Sequence, residues 1–235
     1  TLLKSQQFNK EVKQYCPGFY QFGDRIFGCW YTEGHGELNV TEAMAVSCDV
    51  YFYKTVRQLK LRDLNKTFNE FGFGQKTRID IPNESVGLVP DSDYMRKRYG
   101  KYGWSKGVLL NLAIGQGELL VTPMQVLNYT NLLATRGKAP NCHFVFVDNL
   151  PLNASPDLED YVWDNVHNGM RDAIVNKNGT GKKADINVKG FNLYGKTGTA
   201  ENPHGDNHAW FVGWADYNNK KYSIVILLEN AGSGG

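Results

Sequence analysis

The sequence predicts an α+β fold in which helices pack on an antiparallel sheet. Apolar residues recur at helical spacing in the middle of the chain, over residues 49–61 and again over 163–175. Short apolar and aromatic runs typical of strands follow at 191–194, 210–215 and 222–228. Helices that precede consecutive strands favour an antiparallel sheet with helices packed on it. With 235 residues, the chain is long enough for one domain with a substantial core.

One helix has a clear start in the sequence. Thr122 is the expected N-cap, Pro123 occupies the first helical position, and Gln125 completes a capping-box pattern. We expect this helix to run to about Thr135. Residues 75–107, by contrast, are rich in turn-forming and charged residues, and a loop is expected there.

The first 40 residues contain scattered Gly and Pro and little periodicity, so an irregular segment is expected before Thr41, the predicted N-cap of the first helix. The net charge of +2 and the lack of a basic stripe argue against nucleic-acid binding. The longest apolar run, Ile224–Leu228, is far too short to span a membrane. The chain starts without Met and stops just after a predicted strand, so we expect it to be part of a longer protein.

Two polar motifs lie far apart in the chain. Ser47-Cys48-Asp49 precedes an apolar, aromatic run, and residues 196–199 read Lys-Thr-Gly-Thr after a predicted strand. Alone, Lys-Thr-Gly indicates only a turn at a strand end. Between the two motifs, residues 114–117 read Ile-Gly-Gln-Gly, shortly before the Thr-Pro helix start. The order of these motifs along the chain is more specific than any one of them alone.

With these motifs in this order, the chain resembles the transpeptidase domain of class B, elongation-type penicillin-binding proteins, most closely the penicillin-binding protein 2 group. The resemblance covers essentially the whole chain. It implies a serine β-lactamase/transpeptidase-like fold, with residues 1–235 forming a partial domain that is incomplete at both ends. Asp49 stands where many relatives have Asn. The family's nucleophile motif, Ser-x-x-Lys, does not occur in the chain, and the family's spacing places it just before Thr1.

The resemblance also implies roles for the motif residues. Ser47, in the same motif as Asp49, would relay a proton to the leaving amine. Lys196 would lower the pKa of nearby hydroxyls and attract a substrate carboxylate. Thr197 and Thr199 would bind that carboxylate, and the Thr199 N–H would donate to an oxyanion. The predicted catalytic set is Ser47, Asp49, Lys196, Thr197, Gly198 and Thr199, where Gly198 leaves room for the substrate backbone.

The implied function is that of a D,D-transpeptidase, which cross-links peptidoglycan stem peptides ending in D-Ala-D-Ala through a serine acyl-enzyme and is inhibited by β-lactams. The resemblance places it at the periplasmic face of the bacterial inner membrane, anchored by a segment outside this chain. It implies two partners, an elongation-complex scaffold and a glycan polymerase. Without the nucleophile, the 235 residues alone are expected to be inactive. A β-lactamase or D,D-carboxypeptidase and a non-catalytic scaffold or binding module remain as alternatives.

A metal site is predicted in residues 1–48. Three cysteines and one histidine within 33 residues form a donor set typical of structural zinc, and the segment lacks a core of its own. Some members of the penicillin-binding protein 2 group resemble this arrangement. A disulfide between the first two cysteines, or free thiols, are the alternatives. The predicted Zn²⁺ ligands are Cys16, Cys29, His35 and Cys48.

Overall fold

The computed structural model describes residues 1–4, 8–145, 150, 152–153 and 156–235. Within these residues, seven helices and seven strands confirm the predicted α+β class. Four short strands come first, the helices follow, and three long strands come last. No helix in this described part of the chain combines the length and apolarity that a bilayer crossing requires.

The N-terminal segment is less irregular than the sequence indicates. Its strands pair antiparallel as two separate ribbons, β1 with β4 and β2 with β3. The backbone crosses itself closely at Gly18, where an added Cβ would lie 2.0 Å from the Thr32 carbonyl oxygen. Such close crossings are invisible to local periodicity, which explains the error. The strands are β1 (Gln14–Cys16), β2 (Phe19–Phe22), β3 (Arg25–Gly28) and β4 (Gly36–Leu38).

Seven α-helices are present in the described residues, together with 3-10 turns at Leu2–Lys4, Gly100–Tyr102 and Lys182–Ala184. They are α1 (Val40–Ala45), α2 (Asp49–Val56), α3 (Leu61–Glu70), α4 (Ser92–Tyr99), α5 (Gly107–Ala113), α6 (Pro123–Ala134) and α7 (Asp160–Val175).

Capping explains where the helices begin. The first helix starts after Asn39, not Thr41, because Asn39 and Glu42 exchange hydrogen bonds of 2.8 and 3.0 Å as a capping box. The α6 prediction is confirmed, since Thr122 and Gln125 form the expected box. The predicted continuous helix over 49–61 is wrong. It breaks after Val56, and α3 begins where the Asp63 carboxylate accepts the Lys60 N–H.

The region expected to be a loop, residues 75–107, contains α4 and the start of α5. The Asp91 side chain caps α4 by accepting the Tyr94 N–H at 2.7 Å. The eight residues of α4 carry mostly charged and aromatic side chains, and only Met95 is buried. A helix this short, with one buried anchor, lacks the repeated apolar spacing that sequence reasoning relies on.

The C-terminal sheet has the strand order β5–β6–β7, with both pairs antiparallel. All three strands are longer than predicted, and β5 continues through the Lys-Thr-Gly motif instead of ending at it. In the pairing of β5 with β6, Lys196 is the partner of Val212 and Gly198 is the partner of Trp210. The strands are β5 (Asn192–Ala200), β6 (His208–Tyr217) and β7 (Lys220–Leu228).

Helix α7 joins the sheet to the first helices. Trp214 of β6 is fully buried and stacks on Tyr194 of β5, with ring centroids 4.7 Å apart. On the opposite side, α7 approaches α1 so closely that a Cβ at Gly169 would lie 2.8 Å from Met44 Cβ. This contact fixes the loop after α1 against the sheet, and the candidate site forms there.

Candidate active site

The two predicted motifs meet although 149 residues separate them. Lys196, in the middle of β5, donates a hydrogen bond from Nζ to Ser47 Oγ, and a second one of 2.8 Å to the Thr197 carbonyl. Ser47 occupies the connection between α1 and α2 and adopts a φ of +52°, which is uncommon for a residue with a Cβ. Backbone strain of this kind is frequent at functional sites. The fold therefore holds the Ser47 hydroxyl against the Lys196 amine.

Thr180 adds another hydroxyl to this network, and sequence reasoning did not identify Thr180 as a site residue. Thr180 Oγ1 lies 3.3 Å from Ser47 Oγ and accepts a 2.8 Å hydrogen bond from the Thr197 hydroxyl. The Thr180 N–H donates to the Ala45 carbonyl at 3.2 Å, which ties the segment after α7 to the end of α1. Its only sequence signal is the Gly-Thr-Gly turn at 179–181. Ser47, Thr180 and Thr197 form a hydroxyl chain beside Lys196.

The environment of Lys196 favours its neutral amine more than water would. Burial lowers the pKa of Lys196 from 10.5 to about 8, and the nearby Asp49 carboxylate opposes that shift. A lysine that titrates near neutral pH can both accept and donate a proton, whereas an ordinary lysine remains charged. The Lys196–Ser47 pair can therefore move a proton between the amine and the hydroxyl.

Asp49 points toward the N-terminal segment. Its Oδ2 accepts the Trp30 backbone N–H at 2.9 Å, while the Trp30 indole N–H donates to the Val46 carbonyl at 2.9 Å. Desolvation raises the pKa of Asp49 to about 6, and the Trp30 N–H partly offsets that effect. Trp30 thus holds both sides of the Ser47 connection in place. This role was not predicted because nothing in the sequence pairs residue 30 with residues 46 and 49.

The remaining motif residues lie along β5 toward its C-terminal end. The Thr199 carbonyl accepts a hydrogen bond from the Gln116 side chain at 2.8 Å, and Thr199 Oγ1 accepts the Gly234 N–H at 3.3 Å. A Cβ at Gly198 would lie 3.4 Å from Trp210 Cβ, and one at Gly234 would lie 2.1 Å from the Gly198 carbonyl oxygen. The chain near Gly234 therefore passes over the strand at Gly198.

The four predicted metal ligands come together in one place, which we call the Cys3His cluster (Cys16, Cys29, His35 and Cys48). One ligand atom from each lies within 4.8 Å of all the others. The His35 Nδ1 atom is 3.7 Å from Cys16 Sγ and 3.4 Å from Cys29 Sγ. All three thiols are buried, and none is oxidised to a disulfide.

The chemistry of the cluster fits a soft metal ion. A hydrogen bond with Cys48 lowers the pKa of Cys29, while the same bond raises the pKa of Cys48. Three buried thiols and a half-buried imidazole in one spot match the tetrahedral donor set of structural zinc, which binds thiolates. Cys48 is also the N-cap residue of α2 and the direct neighbour of Ser47. A metal in the cluster would therefore fix one end of the Ser47 connection.

A known protein family and its curated relatives match this chain. A family model described as the penicillin binding protein transpeptidase domain matches residues 1–235. Among curated relatives, the peptidoglycan D,D-transpeptidase MrdA of Haemophilus influenzae is 31% identical over 245 residues. That alignment covers 93% of this chain but 37% of the relative. The chain thus spans little more than a third of its length.

Solved structures similar to this chain also include penicillin-binding proteins. The complex of penicillin-binding protein PBP2 with MreC from Helicobacter pylori has a TM-score of 0.87 and 37% identity, covering 97% of this chain and 43% of that one. Pseudomonas aeruginosa PBP2 with WCK 5153 has a TM-score of 0.88 and 32% identity, covering 99% and 52%. A structure of a peptidoglycan synthase complex that coordinates polymerization and crosslinking has a TM-score of 0.81 and 27% identity, covering 96% and 40%.

Proposed function

The chain belongs to the penicillin-binding protein transpeptidase family, and from that membership we propose that the full-length protein is a peptidoglycan D,D-transpeptidase acting in cell elongation. The observation that carries the proposal is the contact between the two motifs, in which Lys196 donates to the Ser47 hydroxyl. The hydroxyls of Thr180 and Thr197 extend this contact into a network that can move protons.

The reaction needs a serine nucleophile, and we propose that a Ser-x-x-Lys motif outside these 235 residues supplies it. The nucleophile attacks the carbonyl of the penultimate D-Ala, and the bond to the terminal D-Ala breaks. Ser47, hydrogen-bonded to Lys196, then passes a proton to the departing amine. An amine of a second stem peptide attacks the acyl-enzyme and releases the serine. β-Lactams acylate the same serine.

Lys196 and the β5 hydroxyls would bind the substrate. The terminal carboxylate of D-Ala-D-Ala carries a negative charge that the protonated Lys196 ammonium can neutralise, and the Thr197 hydroxyl can donate a hydrogen bond to it. The Thr199 N–H would donate to the oxygen that becomes negative as the serine attacks. Thr199 is exposed, and Thr197 and Lys196 are half-buried. A substrate could therefore reach all three residues.

We further propose that the Cys3His cluster holds one structural Zn²⁺. When bound, the ion would link three separate parts of the N-terminal half through Cys16, Cys29 with His35, and Cys48. The buried thiols and the absence of disulfides among them support this assignment over the Cys16–Cys29 disulfide. All four ligands come from the protein, so the ion would have no open position for substrate, and its role would be to stabilise the Ser47 connection.

The partners and location follow from the relatives by analogy. The Helicobacter pylori PBP2 structure contains MreC, and another similar structure is a complex that polymerizes and cross-links peptidoglycan. We propose that the full-length protein likewise binds a scaffold of the MreC type and a glycan polymerase at the periplasmic face of the inner membrane. A non-catalytic scaffold is the alternative, and the Lys196–Ser47 contact argues against it because a scaffold does not need a half-buried proton-transfer pair.

Labelling with fluorescent penicillin tests the proposed function. We expect the full-length protein to form a covalent adduct at the serine of its Ser-x-x-Lys motif, and the 235-residue chain to form none. An adduct on the short chain, mapped to one of its own serines, would show that the nucleophile has been misassigned. Rapid release of opened penicillin by the full-length protein would instead favour the β-lactamase alternative.

A further inference from the structure

Gln116 bridges the helical half of the molecule and the free edge of β5. Its side-chain Nε2 donates to the Thr199 carbonyl at 2.8 Å, and its Oε1 accepts the Glu201 N–H at 3.3 Å. Both groups of one carboxamide are therefore engaged with backbone atoms two residues apart. In the sequence, Gln116 stands out only as part of the Ile-Gly-Gln-Gly motif.

The backbone atoms that Gln116 contacts are those a new strand would use. In the described sheet, β6 pairs with one edge of β5, and the other edge carries no strand. In an antiparallel sheet, the N–H and C=O of one residue point to the same edge, and alternate residues share that edge. The Thr199 carbonyl and Glu201 N–H fit this alternation, and the Thr197 carbonyl, which accepts from Lys196, continues it.

A rigid turn holds the Gln116 backbone in place. The Gln116 N–H donates to the Asn111 carbonyl of α5 at 2.9 Å, and the preceding Gly115 N–H donates to Leu112 at 3.2 Å. Gly115 and Gly117 have φ values of +77° and +80°, a left-handed conformation that glycine adopts without a steric cost. The half-buried Gln116 side chain is thus the movable part of the bridge, and it can leave the strand edge without any change in the backbone.

We propose that the Gln116 carboxamide is a placeholder for a backbone amide of the donor peptide and must leave β5 when that peptide binds. The inference rests on the proposed function. If the Thr199 N–H holds the scissile carbonyl, the N–H of the same substrate residue faces the Thr199 carbonyl. That carbonyl is occupied by Gln116. Displacement of Gln116 therefore costs binding free energy. Ligands that replace its hydrogen bonds with their own are favoured.

The matched variants are Gln116→Met and Gln58→Met. The first keeps the length and volume of the side chain but removes both hydrogen-bonding groups. The second makes the same change at an exposed glutamine beyond the end of α2. Two labelled probes are needed, an acylated peptide ending in D-Ala-D-Ala and the same peptide methylated on the nitrogen of its penultimate residue. The methyl group removes the N–H that would face Thr199.

Fluorescence anisotropy measures the dissociation constant of each labelled peptide for the full-length protein. We expect Gln116→Met to lower the dissociation constant of the unmodified peptide by about three- to tenfold, the range of one net hydrogen bond. The methylated peptide has no N–H to donate to the Thr199 carbonyl and therefore leaves Gln116 in place, so it should bind the wild type, Gln116→Met and Gln58→Met equally. Equal tightening of both peptides, weaker binding to Gln116→Met, or no measurable binding by any form would overturn the inference. A protein that shows the expected shift but is never acylated by penicillin would contradict the proposed function and leave the inference supported.

Discussion

The N-terminal strands, which hold the Ser47 connection through Trp30, and the C-terminal sheet, which carries Lys196, are stabilised differently. The sheet has strands of nine or ten residues and a fully buried Trp214. The N-terminal strands have only three or four residues, and Trp30 and Tyr31 are 58% and 43% exposed. A short two-stranded ribbon is marginal in water by itself, and here Tyr20 and Phe27 pack against Tyr53 of α2. Lys196 is positioned by the packing of the sheet, whereas the Ser47 connection is held by the Trp30 hydrogen bonds and lies next to the Cys3His cluster.

The largest expected effect is on catalysis, from a change on the sheet side. Lys196→Met in the full-length protein should slow acylation by penicillin by about two to four orders of magnitude, because proton transfer and charge stabilisation are lost. Stopped-flow or gel-based acylation kinetics would measure the change. Lys220→Met, at the exposed start of β7, is the matched control and should react like the wild type. Near-normal acylation without Lys196 would mean that the motif has been misassigned.

A change in the Cys3His cluster should instead act on stability. Cys29→Ser removes one thiolate ligand, so we expect loss of zinc and a fall in melting temperature on the order of 10 °C. Elemental analysis and thermal denaturation would measure both quantities. Cys142→Ser replaces a cysteine outside the cluster and should retain the metal. Protein purified without zinc, together with two fewer titratable thiols than the four cysteines of the sequence, would point to the disulfide alternative.

The smallest expected effect concerns the pH dependence of stability. The pKa of Lys196 is about 8 in the folded protein and 10.5 as an ordinary value, so between these values the unfolded chain binds more protons at this residue. Stability should therefore rise with pH across that window. Because the side chain is half-buried, the rise should be on the order of 1 kcal/mol.

Urea denaturation at pH 8 and at pH 10.5 would measure this rise, with Lys196→Met as the reference that lacks the titrating group. The difference in unfolding free energy between the two proteins should shift in favour of the wild type at the higher pH. A difference that stays constant, or that shifts toward Lys196→Met, would mean that burial does not desolvate the lysine as the structure indicates.

The fold was predictable where local chemistry decides it. The capping box of Thr122 and Gln125 specifies α6 without any tertiary contact, and apolar spacing reveals α7 and the strands. Sequence reasoning failed at the break between α2 and α3, because the apolar pattern runs on while the Asp63 side chain starts a new helix at Lys60. It also failed at α4, where a single buried residue, Met95, gives no period to detect.

The sequence by itself determined which residue types are available for chemistry, namely the two motifs and the three cysteines with one histidine. Their proximity was decided by tertiary structure, since Lys196 and Ser47 lie 149 residues apart and meet only because α7 packs between α1 and the sheet. Thr180 and Gln116 entered the site in the same way. Each is an ordinary polar residue in a glycine-rich turn, and only long-range packing gives its side chain a partner. Local patterns record backbone preference and burial, whereas a site depends on contacts between segments that the chain order keeps apart.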